Sequence, residues 1–355
     1  MQAFKTMVAA VIIITYEDTD DAPDLVEGLV DASRLLFFEK RKTEIGGMEM
    51  FVDVLIGLLE ISSAFLRAMV SQAFAAFIGS MTKESIDHLI DQLGMNEEIE
   101  EVADEEGPED QEISEQGLDR DANDSEEELD EDDDEDDDDN FDDEQMAQLD
   151  DKLAEIFRQH TSSKRKRAEI IQRDTALFHN KILDLIEMYA KEQSGNALRM
   201  RLVAPLFALS RGSGDVSQQV AHRASQILRA RLCKAKELPR GNLDVAGMVD
   251  ELKATHEYAR STQDVQMAEL SGAVSQLYTK VLIRHGHLSE PVSVYETTLH
   301  DFLERKSSPV RPSFLIDAIR RLPELGWGLR ESLLDGCRAS KLAHAFRQIQ
   351  EFTML

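Results

Sequence analysis

Asp18 and Asp20, framed by Tyr16, Glu17 and Thr19 and preceded by the apolar run Val11 to Ile14, are the first residues of the sequence whose types and spacing suggest chemistry. Carboxylates on alternate residues share one face of an extended strand. On a β-hairpin such a pair can hold the metal ions of a nucleotidyl-transfer centre. The hairpin matters as much as the acids. Here Glu17 stands where the turn needs glycine, and Ala22-Pro23-Asp24 opens a helix where the returning strand should run. The pattern therefore predicts a solvated acidic loop ahead of a helix. His285-Gly286-His287 offers imidazoles without the further ligands of a zinc site, and a helix stopped by glycine accounts for it. Gly212-Ser213-Gly214 is not followed by Lys-Ser/Thr and reads as a turn, and neither Ser332 nor Cys337 has a linked base. Cys233 and Cys337 form no CxxC, which argues against a disulfide framework. No catalytic residue, metal or cofactor is expected.

The basic residues carry more information. Between residues 199 and 240 stand Arg199, Arg201, Arg211, Arg223, Arg229, Arg231, Lys234, Lys236 and Arg240, against Asp215 and Glu237. In the helix from Val216, the apolar set Val220, Ala224, Ile227 and Leu228 turns inward and leaves Arg223, Arg229 and Lys236 towards solvent. Such a stripe can neutralise phosphates of DNA or RNA without sequence preference. An ordinary solvated helix face and an intramolecular dock for an acidic segment are the alternatives. Lys164, Arg165, Lys166 and Arg167 have the form of a nuclear import signal, and Ser125, followed by three glutamates, is a candidate phosphorylation site.

Charge is distributed unevenly. The chain has a formal net charge of -31, and residues 97–151 alone hold 32 acids and one base, Arg120, which accounts for all of it. The flanks are near neutral, with 7 bases against 15 acids in residues 1–96 and 31 against 23 in residues 152–355. Large aliphatic residues almost vanish between Glu97 and Asn140, so that segment cannot bury enough surface to offset its ordering entropy and is expected to be disordered. The most apolar run, Val8 to Ile14, falls far short of the ~20 residues of a membrane span, and no membrane association is expected.

The elements that position these residues read as helices. Leu25, Leu29, Ala32 and Leu36 recur at helical spacing. A second helix is predicted at Met48 to Leu59. A third is capped at Ser62-Ser63, with Phe65, Met69, Ala73 and Phe77 along one face. A fourth is capped by Thr82 and stops near Gly94. Helical spacing returns at Met146 to Phe157, and again where Phe178, Ile182, Leu185, Ile186 and Tyr189 share a face. Further helices are expected at about 196–210, 216–236, 244–258, 263–285 and 291–305, with three short ones before Leu355, separated by glycine and proline turns. Val8 to Tyr16 is the one stretch with a strand-like pattern. The predicted fold is all-α, with armadillo- or HEAT-like helical repeats interrupted by a long disordered acidic tract. The expected division is a helical-repeat segment at 1–95, the tract at 96–143, and a helical domain with the basic cluster and basic patch at 144–355.

The order of these parts, Phe51 to Arg67, Val70 to Phe77, Thr82 to Leu93, the acidic tract, Leu149 to Phe157, the basic cluster and Phe178 to Glu187, resembles the Myb-binding protein 1A family, also called DNA polymerase phi or the fifth yeast DNA polymerase. The resemblance runs from about Val11 to Cys233. The residues that carry the resemblance correspond to the later part of a member, beyond the long N-terminal repeat region of that family. The resemblance implies a non-enzymatic nucleolar scaffold and transcription co-regulator in ribosomal RNA gene transcription and ribosome biogenesis, with DNA binding. Its implied partners are ribosomal DNA or pre-ribosomal RNA, basic nuclear proteins such as histones or ribosomal proteins, and transcription factors. A histone chaperone, with the tract shielding basic tails, is the alternative. A DNA-directed DNA polymerase is a third reading. Tyr16 to Asp20 is similar to the Tyr-Gly-Asp-Thr-Asp-Ser motif of family B polymerases, but departs from it at the turn, and no other polymerase element follows.

Overall fold

Every element longer than one turn among the described residues is helical, in a computed structural model that describes residues 4–5, 7–9, 11–12, 22–38, 46–61, 63–94, 170–212, 218–241, 243–338 and 354. Tyr16 to Asp20, the acidic tract, Ser125 and Lys164 to Arg167 lie outside those residues. The helices are α1 (Ala22–Phe37), α2 (Gly47–Glu60), α3 (Ala64–Phe77), α4 (Lys83–Asp91), α5 (170–192), α6 (Val203–Ser210), α7 (Gln218–Ile227), α8 (Val245–Ala259), α9 (Val265–Arg284), α10 (Ser289–Glu304), α11 (Pro312–Arg321), α12 (Pro323–Gly328) and α13 (Arg330–Arg338). Among the described residues there is no strand. Among these residues a single isolated bridge joins Asn196 to Arg240, and no helix is long and apolar enough to cross a membrane.

Local sequence explains the boundaries. The Ser63 hydroxyl accepts from the Leu66 amide and starts α3, while Thr82 and Ser85 exchange hydrogen bonds at the start of α4. Asp244 and Asp264 cap α8 and α9 in the same way. At the end of α9, Gly286 adopts φ 86°. Its amide donates to the Ile283 carbonyl, and the His287 amide to the Leu282 carbonyl at 2.9 Å, the paired bonds of a Schellman stop. His285-Gly286-His287 is thus a helix terminus.

Packing runs mainly between neighbours in sequence: α1 on α2, α2 on α3 and α4, α6 on α7, α8 on α9 and α10, and α11 on α12. Residues 1–95 and 173–355 form one compact unit. Its main core is continuous from Phe51, Leu55 and Phe74 through Ile182 and Tyr189 to Leu270 and Tyr278. A smaller core joins Tyr295, Phe302, Leu315 and Leu325.

Three expectations need correction. Val8, Ala9, Val11 and Ile12 are helical, with Val11 buried beside Met7. The buried face of α3 is Leu66, Val70, Ala73 and Phe74, whereas Phe65 is half exposed. The sequence Ala64–Phe77 is apolar on nearly every side, so stripes one residue apart are equally periodic, and contact with α2 decides between them. The helix expected at 196–210 begins as a 3-10 segment, Ala197–Leu202, and α7 ends in a π-helical turn, Leu228–Cys233.

Candidate nucleic-acid interface

The basic stretch spans the 3-10 segment, α6, α7 and the π turn. The Asn196 side chain accepts from the Leu198 amide at 3.0 Å and opens the 3-10 segment, which turns Arg199 inward. Arg199 is 2% exposed. Its guanidinium donates to the Ser194 carbonyl at 3.0 Å and to the Arg231 carbonyl, tying the 3-10 segment to the π turn. Burial lowers its pKa from the ordinary value. Its role is that of a strut, held by both terminal nitrogens while the buried Nε has no partner among the described residues.

Carboxylates from other helices engage most of the remaining arginines. Arg201 grips Asp87 of α4 through two parallel bonds of 2.6 and 2.7 Å, the side-on geometry that suits a guanidinium. Asp184 and Glu187 lie one turn apart on α5. Arg223 reaches both, Arg231 donates to Glu187 at 3.0 Å, and Arg67 of α3 joins Asp184 from the other side. Three arginines thus converge on two half-buried acids and knit α3, α5, α7 and the π turn together. Arg229 donates to the Gln266 carbonyl at 2.7 Å and sits 3.8 Å from Glu269. The Arg211 guanidinium rests over the Phe207 and Tyr258 rings, 5.8 and 5.4 Å from their centroids. Lys234 and Lys236 are exposed and, among the described residues, are in no ion pair.

Proximity along the chain therefore overstates the free positive charge. Val220, Ala224, Ile227 and Leu228 do face the core, and Arg223 and Arg229 stand at its rim. The rim is occupied by acids that charge counting over residues 199–240 does not include. A signal for them exists in the sequence: Asp184 and Glu187 interrupt the apolar run Ile182, Leu183, Leu185 and Ile186, so they must sit at the edge of a buried face. With Arg211, Lys234 and Lys236 turned outward, the surface can make a few sequence-independent phosphate contacts.

A second polar cluster is buried where α8, α9 and α10 meet. His256 contacts the Thr298 hydroxyl through Nδ1 at 2.8 Å and the Ser275 hydroxyl through Nε2 at 2.6 Å, and Ser275 contacts the Tyr295 hydroxyl at 2.8 Å. Nothing in the sequence singled it out. A serine beside an imidazole has the makings of an activated nucleophile, yet His256 is 1% and Ser275 0% exposed, beyond reach of a substrate. Burial pulls the His256 pKa down to about 3, so the imidazole is neutral near pH 7. Ser332 donates to Glu296 at 2.8 Å. Among the described residues no group of three or more His, Cys, Asp or Glu is placed to hold a metal ion.

Comparison with known proteins bears on the chain as a whole. It is 24% identical over 230 residues, 57% of its length, to a Myb-binding protein 1A-like protein of Danio rerio. It is 30% identical over 105 residues, 26% of its length, to Myb-binding protein 1A of Homo sapiens. It is 28% identical over 104 residues, 28% of its length, to the rDNA transcriptional regulator pol5 of Schizosaccharomyces pombe. The aligned parts cover 18%, 8% and 11% of those proteins, so the chain spans less than a fifth of the relatives it matches. No solved structure matches. The DNA polymerase phi family model matches residues 1–140 and 122–190, together more than half of the 355 residues. With that coverage, and with the stacked helices described above, the chain belongs to the DNA polymerase phi family.

Proposed function

We propose that the protein is a non-enzymatic nucleolar scaffold and transcription co-regulator acting in ribosomal RNA gene transcription and ribosome biogenesis. The observation that carries this reading is membership of a family whose fission-yeast relative is named as an rDNA transcriptional regulator. In this reading residues 1–95 and 144–355 supply armadillo- or HEAT-like helical surfaces. Residues 96–143 supply a tethered polyanion for basic nuclear proteins such as histones or ribosomal proteins. DNA binding is a weak phosphate contact made by Arg211, Lys234 and Lys236, which face solvent, while Arg199, Arg201, Arg223 and Arg231 are committed to internal partners. Lys164 to Arg167 direct nuclear import, and Ser125 adds negative charge when phosphorylated.

The density of the tract, 32 acids against one base over residues 97–151, favours a second reading, a histone chaperone. Chromatin immunoprecipitation of the tagged chain separates the two. Enrichment confined to ribosomal DNA repeats supports the first, and enrichment spread evenly with nucleosomes supports the second. Exclusion of the tagged chain from the nucleus would sink both. The polymerase reading is tested by primer extension: magnesium-dependent synthesis abolished by changing Asp18 and Asp20 to alanine would overturn the non-enzymatic assignment.

A further inference from the structure

One face of α9 is left open. A cavity of about 440 Å³ lies between the π turn with its following residues, α9 and the end of α11. Its floor is apolar, formed by Ala235, Leu238, Ala273, Leu277 and Leu322. Around that floor stand Arg229, Lys234, Lys280 and Arg321, and among the described residues no carboxylate lines it. A second cavity of about 290 Å³ shares Ala273, Gln276 and Arg321 with the first and continues along α9 to Ala268 and across to Phe314. The acids of this surface, Glu269 and Asp317, line only that second cavity. From Ala268 to Lys280 the combined groove follows α9 for about 18 Å, at ~1.5 Å of rise per residue.

The chemistry of the groove is that of an amphipathic site with a fixed sign. Lys234 and Lys280 are exposed and, among the described residues, in no ion pair. Arg321 donates to the Gln276 side-chain oxygen, a neutral acceptor that leaves its charge uncompensated at the rim, whereas Arg229 donates to the Gln266 carbonyl and pairs with Glu269 at 3.8 Å. Among the described residues the larger cavity has no aromatic side chain on which a base could stack, the feature that single-stranded nucleic-acid sites use, and the second has Phe314 alone. A duplex would contact the lysines through phosphate but offers no apolar group to the floor of the groove. A short helix with leucine-type side chains on one face and glutamates beside them fills both, by the helix-in-groove mode of recognition.

We propose that this groove along α9 is a docking site for an acidic amphipathic helix of a partner protein. The apolar side chains of that helix enter over Leu238, Leu277 and Leu322, and its carboxylates meet Lys234, Lys280 and Arg321. The site is independent of where in the cell the protein acts and separate from the weak phosphate contact proposed above, although Lys234 is common to both.

The test is fluorescence anisotropy on the full chain with a labelled helix-forming peptide of glutamates carrying leucines at i, i+3, i+4 and i+7. A polyglutamate peptide of equal length and a short single-stranded oligonucleotide serve as comparison probes. The leucine-bearing peptide is expected to bind at least about tenfold more tightly than polyglutamate, and the double variant Lys234→Glu/Lys280→Glu to weaken it by at least about tenfold. Ala273→Phe, which fills the groove from a half-exposed position, is expected to abolish binding, with thermal melts checking that both variants remain folded. Polyglutamate or the oligonucleotide binding as tightly as the leucine-bearing peptide would overturn the proposal, as would unchanged peptide affinity in the folded double variant.

Discussion

If Asp184 and Glu187 hold three arginines away from solvent partners, neutralising those acids should release the arginines to phosphate. Asp184→Asn/Glu187→Gln keeps the side-chain shape and one acceptor oxygen each while removing the charge that Arg67, Arg223 and Arg231 face. Counterion release sets the magnitude, with the slope of log affinity against log salt about -0.9 per phosphate neutralised on duplex DNA. Arg211, Lys234 and Lys236 alone give about -2.7, and three released arginines carry the limit to about -5.4. A fourfold rise in salt then weakens the native chain about 40-fold and the variant by up to about 2,000-fold. The assay is anisotropy of a labelled duplex across a salt series, beside a thermal melt. The melt is expected to show a cost of about 1–2 kcal/mol per carboxylate, because the pairs are charge-assisted but partly solvated. A slope unchanged in a folded variant would refute the view that these acids limit phosphate binding.

Other predictions rest on buried groups and close backbone approaches. His256 titrates near its ordinary 6.5 when unfolded and near 3 when folded, so between those values the unfolded state binds the extra proton and stability falls with falling pH. From pH 7.5 to pH 5 the loss is about 2 kcal/mol, measurable by urea melts and expected to shrink in His256→Gln, and an equal loss in that variant would contradict the assignment. Burial pushes the Cys233 thiol to about 12. Its alkylation at pH 8 is therefore expected to be about a thousandfold slower than that of a free cysteine, as mass mapping would show. A β-carbon at Gly47 would lie 2.9 Å from Leu35 Cβ and 3.1 Å from the Leu36 amide. Gly47→Ala is thus expected to separate α1 from α2 at a cost of about 1–3 kcal/mol by denaturant titration.

Much of the helix plan is legible in the sequence because caps and stops are local. Ser63, Thr82 and Gly286 mark boundaries with their own side chain or backbone freedom, and each acts where it was expected. Faces are legible only where polar residues delimit them. Leu25, Leu29 and Ala32 are legible as a face, whereas α3, apolar nearly all round, offers equally periodic stripes one residue apart, of which Leu66, Val70, Ala73 and Phe74 are buried. The candidate interface shows a different limit. The basic run from Arg199 to Arg240 is plain in the sequence, but the acids that engage it come from Asp87, Asp184 and Glu187, brought in by tertiary packing. One core spanning both flanks of the acidic tract was likewise invisible, because long-range packing leaves no local period.

The proposed role is one in ribosomal RNA gene transcription that needs no catalysis by Asp18 and Asp20. Its most direct test is pulse-labelling of nascent pre-ribosomal RNA in cells depleted of the protein, with and without an Asp18→Ala/Asp20→Ala copy. A labelling rate that changes on depletion and is restored by the doubly substituted copy is the predicted result. A rate that is unchanged by depletion, or that only the native copy restores, would contradict the account.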